Sequence, residues 1–281
     1  YMWECPDYFE QDDRGVLLFC PQGLSHDKTQ RNLYEVYALC GEPLSLHDLT
    51  FLHRKPQLLD NGFDMYATQT MKTPDGRRIL IGWMGISEMH YPTEAYGHCG
   101  ILTIPRELKV QDGILYQQPL KELQTLRGDY QQQFAQLDNE QPVIMHSGAV
   151  FEARIVISGK IDDRVTIALR ANPSGTRKTM LTLDAVKGEI VLDRSEAGEA
   201  VNPEYGERRV TAWSFTSETT VHVFSDVSSL EIFINNGMFV SSSRIFPAED
   251  QQWLVIENHG VSQKVEVECW QLQGIYHDGE K

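Results

Sequence analysis

From residue 9 to about 108 the apolar positions come in short runs broken by Gly, Pro, Asp and Asn, and no helical period links them. The runs Val16–Cys20, Tyr34–Leu39, Met65–Met71, Ile79–Met84 and Gly100–Ile104 predict strands. Thr73-Pro74-Asp75-Gly76 joins the third to the fourth as a hairpin, because Pro presets one φ angle and Gly supplies another. Residues 117 to 141 change character. Pro119 to Leu126 place apolar side chains at i, i+3 and i+6, which suits a short amphipathic helix, and the Gln-rich run Tyr130 to Gln141 that follows is polar and poor in β-branched residues. A domain boundary is expected near residue 135, giving domains 1–135 and 136–281. Beyond it the alternation sharpens. In Arg164–Leu169 the apolar Val165, Ile167 and Leu169 share one face, and comparable segments recur up to Lys264–Trp270. Asn235-Asn236-Gly237 between two of them is a strong hairpin signal, since Asn-Gly readily takes the positive φ angles of a type I′ turn. The fold class is all-β. Eight or nine strands over the second half fit a two-sheet sandwich, whereas the pattern of the first half leaves sandwich, barrel and propeller open.

The chemistry gathers at the opening stretch Tyr1-Met2-Trp3-Glu4-Cys5-Pro6-Asp7-Tyr8. Pro6 disfavours helix in the residue before it, so Glu4 is expected at the mouth of an extended segment ending at a turn. Apolar neighbours such as Trp3 would disfavour the charged form of Glu4, which is how a carboxylic acid stays protonated to act as a general acid. On residue type alone, a solvated strand-end glutamate is the commoner reading.

Trp3-Glu4-Cys5-Pro6-Asp7 resembles the Glu-Cys-Pro-Asp motif of the glycoside hydrolases that include invertases, sucrose-6-phosphate hydrolases, levanases and inulinases. Gly62–Ala67, Arg77–Gly85 and Leu102–Leu108 resemble that family in the same order, and Leu230–Asn235 and Ser243–Pro247 resemble its appended sandwich. The resemblance implies a partial five-bladed β-propeller, its last two to three blades, followed by a β-sandwich. It also implies that Glu4 is the acid/base of a retaining β-fructofuranosidase, with Cys5 a neighbour that orients or tunes it or simply packs. Trp83, at a strand end, would then face a sugar ring or the blade core. Asp64 and Tyr66, two apart in one predicted strand, would share a face and bind fructose hydroxyls, or serve structure alone. The family's nucleophilic and transition-state-stabilising aspartates lie in Trp-Met-Asn-Asp-Pro-Asn-Gly-like and Arg-Asp-Pro motifs, and these 281 residues contain neither. The chain therefore reads as the C-terminal part of a longer enzyme, inactive alone.

Net charge of −15 argues against a nucleic-acid partner, which calls for clustered Lys and Arg. No apolar run approaches the roughly 18 residues of a membrane helix. Cys5, Cys20, Cys40, Cys99 and Cys269 are odd in number and widely spaced, which fits neither a disulfide framework nor a zinc site and favours a cytoplasmic setting. No metal or other cofactor is expected, because no His lies at ligand spacing with another His or Cys. The expected partner is a small sugar: sucrose, sucrose 6-phosphate or a fructan. Two other readings stay open: a non-catalytic sandwich module carrying a propeller remnant, whose open strand edges invite a homodimer, and a levanase or inulinase fragment.

Overall fold

The short apolar runs fold as strands in the computed structural model, which describes residues 2–24, 31–138, 141–201 and 203–275. Tyr1 and the end of the Gln-rich run at 139–140 fall outside that description. The chain divides into two compact units.

The first unit holds two antiparallel meanders. One runs β1 (Met2–Gln11), β2 (Arg14–Gln22), β3 (Tyr37–Gly41) and β4 (Gln57–Leu58) in spatial order. The other runs β5 (Met65–Lys72), β6 (Arg78–Met84), β8 (Arg106–Gln111) and β9 (Ile114–Pro119), with the short β7 (Ile101–Leu102) also paired to β6. Four successive strands per sheet is the pattern of propeller blades, and the described residues contain two of them. Their facing residues merge in one apolar cluster that includes Val16, Leu18, Cys20, Met65, Leu80, Leu108 and Leu115. The Thr73–Gly76 turn closes the β5–β6 hairpin as the sequence predicts, with Gly76 N–H donating to the Thr73 carbonyl at 2.9 Å.

This unit is discontinuous, for it also takes in residues 201–206 and Phe233–Arg244. Two buried carboxylates explain the second insertion. Asp60 accepts from the Ser242 backbone N–H at 2.8 Å and faces the Arg106 guanidinium at 3.3 Å. Asp64 accepts from the Arg244 N–H at 2.7 Å. Between them Gly62 lies so close to the inserted strand that an added Cβ would sit 2.1 Å from the Ser242 carbonyl oxygen.

Two six-stranded sheets, ordered β10-β21-β12-β17-β18-β19 and β11-β20-β13-β14-β15-β16, form a sandwich that supplies the second unit, except that β19 and the end of β18 count with the first. Their strands are β10 (Arg127–Leu137), β11 (Val143–His146), β12 (Phe151–Ile157), β13 (Arg164–Ala171), β14 (Lys178–Asp184), β15 (Glu189–Glu196), β16 (Arg208–Ala212), β17 (Thr219–Ser225), β18 (Ser229–Ile234), β19 (Phe239–Arg244), β20 (Trp253–Asn258) and β21 (Gln263–Leu272). Val165, Ile167 and Leu169 are buried, as their alternation predicts. Asn235, Asn236 and Gly237 take φ of 49°, 59° and 79°, so the β18–β19 turn uses the left-handed angles expected of it, over three residues.

Two features differ from the sequence reading. The helix expected across Pro119–Leu126 is a 3-10 turn at Lys121–Leu126 with no buried residue. The reason lies in the spacing itself: apolar residues at 120, 123 and 126 repeat every 3.0 residues, the period of a 3-10 helix. The polar run after it forms β10, which pairs antiparallel with β21 from Tyr130 to Leu137. Residue 135 therefore lies within a strand, and the units divide at Leu120 and Lys121. Among the described residues no helix is long and apolar enough to cross a membrane.

Candidate active site

Strand β1 does not end at Pro6. It runs on to Gln11 through a bulge between Glu4 and Asp7, where Cys5 takes φ of 47°. Proline is tolerated there because a bulge interrupts the ladder it cannot donate to. Strand β5 repeats the device: its register shifts between Tyr66 and Gln69, and Ala67 also has φ of 47°. A bulge bends a strand and re-aims the side chain beside it. Here both bulges directly follow a polar residue, and the two residues meet. The Tyr66 hydroxyl donates to Glu4 Oε2. Gln22, at the far end of β2, donates to the same oxygen at 2.8 Å. Among the described residues Glu4 Oε1 takes no hydrogen bond. Asp7 holds the strands in this relation, its Oδ2 accepting from the Thr70 backbone N–H at 2.8 Å and from the Thr70 hydroxyl at 2.7 Å.

Burial pushes the Tyr66 phenol well above its ordinary range; the hydrogen bond from Gln22 opposes this, and the one to Glu4 adds to it. Tyr66 thus remains a proton donor throughout the neutral range. Its ring meets Tyr34 at 5.0 Å, and the Tyr34 hydroxyl donates to Glu88. That bond, with burial and the Glu88 charge, lifts Tyr34 to about 12. Burial acts against ionisation of Glu88, yet hydrogen bonds from Tyr34 and Ser87 hold its carboxyl below the ordinary range. Glu88 is therefore a charged acceptor at the rim.

Trp83 lies directly across from Tyr66 in the β5–β6 register, so the two share a face. A Cβ added to Gly85 or Gly100 would fall 2.5 Å or 2.0 Å from the indole. The two glycines thus form a slot that fixes the ring while leaving it half-buried. Cys5 packs against the core cluster that contains Cys20, whose thiol burial pushes up to about 12. Both are free thiols.

The structure brings together Glu4, Cys5, Tyr66 and Trp83. It does not bring Asp64 to them. Asp64 precedes β5, is 1% exposed, and accepts from the Tyr91 hydroxyl at 2.9 Å as well as from Arg244. Two residues apart means one face only inside a regular strand, and here the strand begins at Met65. Trp3 likewise turns away from Glu4 and stacks on Phe19 at 4.1 Å, so Tyr66 supplies the cover expected of it. Sequence reasoning missed Gln22, Tyr34 and Glu88, which lie 18 to 84 residues from Glu4 with no local motif to link them. The described residues contain no cluster of three or more His, Cys, Asp or Glu that could hold a metal.

Comparison with known proteins sets this geometry among carbohydrate-active enzymes. The profile for the glycosyl hydrolases family 32 N-terminal domain matches residues 1–119, and that for the family's C-terminal domain matches 122–271. A sucrose-6-phosphate hydrolase of Staphylococcus xylosus is 36% identical over 252 residues, 89% of this chain and 50% of the relative. The structure of sucrose-6-phosphate hydrolase from Lactobacillus gasseri superposes with a TM-score of 0.87 at 28% identity, covering 98% of this chain and 56% of that one. A Bombyx mori beta-fructofuranosidase, also solved as a variant in complex with sucrose, gives 0.77 at 33% identity, covering 97% of this chain and 55% of its own. The chain spans about half the length of the curated relatives it matches.

Proposed function

This chain belongs to glycosyl hydrolase family 32, and from that premise we propose that it carries the acid/base half of a retaining β-fructofuranosidase active site. The observation that supports this best is the carboxyl of Glu4, with two donors on Oε2 and, among the described residues, none on Oε1. Two fixed donors make Oε2 the accepting oxygen, so in the protonated carboxyl the proton to be transferred rides on Oε1. In the reaction Oε1 protonates the oxygen that leaves fructose, then takes a proton from the attacking water. Tyr66 and Gln22 keep the carboxyl aimed through both steps, and Trp83 offers its indole to the apolar face of the sugar. Cys5 packs behind Glu4. Asp64 serves the packing of its own unit rather than the sugar.

Retention needs a second carboxylate about 5–5.5 Å from the first to form the fructosyl intermediate. Neither aspartate motif occurs in the 281 residues, so the chain by itself binds without turning over. The substrates are β-D-fructofuranosides, sucrose 6-phosphate or sucrose first, in keeping with the names of its relatives. The five free cysteines suit a reducing cytoplasm, and a homodimer completes the proposal. The test is the intact mass of the purified protein followed by hydrolysis of sucrose and sucrose 6-phosphate. A 32.1 kDa chain without turnover is expected. Turnover by that chain, abolished in Glu4→Gln, would sink the proposal that it needs a second carboxylate from elsewhere.

A further inference from the structure

Of the four strands that end the two sandwich sheets, three are short or covered. Strand β11 has four residues and β16 five, and every residue of β19 is buried. The fourth, β10, has 11 residues, and its outer edge takes no strand partner among the described residues. Natural edges of that length are blunted by Lys, by Pro or by a bulge. In β10 the only irregularity is at its start, between Arg127 and Tyr130, and Tyr130–Leu137 contains neither Lys nor Pro. Instead its solvent face carries Tyr130 and Phe134, 49% and 69% exposed. Tyr130 is already ordered, stacked on Trp270 at 5.3 Å and donating to Glu268 at 3.1 Å. Gln132 between them donates to Glu266 at 2.9 Å.

We infer that β10 is a homodimer seam, on which a second copy of this chain adds its own β10 antiparallel about a twofold axis through Gln132. The sequence is self-complementary at that centre. Tyr130 falls opposite Phe134 of the copy, and Phe134 opposite its Tyr130, giving two cross-strand aromatic pairs. Gln132 meets itself. The strand's two charges, Arg127 and Asp129, lie at its irregular start, outside the Tyr130–Phe134 span that carries the pairing. One isologous contact of this kind joins the two six-stranded sheets into a continuous sheet of both copies and closes, leaving no edge for a third. This inference stands apart from the catalytic proposal, since it uses no residue of the Glu4 site.

A concentration series of the full 281-residue chain by sedimentation tests it. The expected result is a monomer–dimer equilibrium whose dissociation constant rises roughly tenfold or more in Gln132→Lys, which sets like charges face to face on the axis. Register is tested in a Cys99→Ser background, which removes the exposed native thiol. Under hydrogen peroxide Gln132→Cys cross-links to itself, whereas Gln136→Cys, four residues off the axis, does not. A monomer at every concentration, a dimer indifferent to Gln132→Lys, or equal cross-linking at both positions would each overturn the inference.

Discussion

At the residue scale, the site depends on two side chains that share one oxygen. Removing one donor with Tyr66→Phe loosens Glu4 without vacating its place. Hydrogen bonds to charged groups are worth about 1.5–3 kcal/mol, so the acid/base role proposed for Glu4 predicts that kcat/KM of a full-length enzyme falls about 10- to 100-fold, with the loss mainly in kcat. Tyr34 and Glu88 provide a test that needs no turnover. The Tyr34 phenol ionises near 12 rather than at the ordinary 10.0, first because it donates to Glu88. A folded-state value above the unfolded one means that the bond's contribution to stability is fully present below pH 10.0 and is lost as pH rises toward about 12. Tyrosinate absorbance during an alkaline titration will show one late-titrating tyrosine moving back toward 10.0 in Glu88→Gln.

Single elements are held by points where backbone comes too close for a side chain, or where a buried charge needs its partner. Gly237 does the first. With φ of 79° and a Cβ position 1.6 Å from the Gln117 carbonyl oxygen, Gly237→Ala cannot be absorbed by a rotamer change. It will cost more than about 1 kcal/mol in denaturant unfolding. Arg106 does the second. It is fully buried, meets Asp60 at 3.3 Å and donates to Gln117 at 2.9 Å. Arg106→Met leaves a buried carboxylate uncompensated and will destabilise by about 3–5 kcal/mol. Adding Asp60→Asn will recover part of that loss, because the remaining cost was the unpaired charge.

At the scale of the whole molecule, the first unit is not a contiguous piece of chain. Asp60 and Asp64 both end on Phe233–Arg244, more than 160 residues further on. A fragment of residues 1–120 loses those partners and leaves both carboxylates buried and short of donors. It will show no cooperative unfolding transition, whereas the 281-residue chain will. Expressing the fragment and comparing its melting curve by circular dichroism decides the matter.

The sequence by itself determined the class of the fold and most of its strands, because period-two alternation and turn residues act over a few positions. It also singled out Glu4 as the acid/base candidate, since the Glu-Cys-Pro-Asp motif that carries the resemblance is contiguous. It misled where a local pattern had two meanings: a three-residue spacing read as an α-helix was a 3-10 turn, and a polar Gln-rich run was an edge strand stabilised by its partner rather than by its own propensity. What surrounds Glu4 only the tertiary structure decided. Bulges at Cys5 and Ala67 turn Glu4 and Tyr66 toward each other, and Gln22, Tyr34 and Glu88 arrive from separate strands and loops. Asp64 was lost to the core for the same reason. Its partners, Tyr91 and Arg244, lie 27 and 180 residues away, and a side chain's role follows from what reaches it in space.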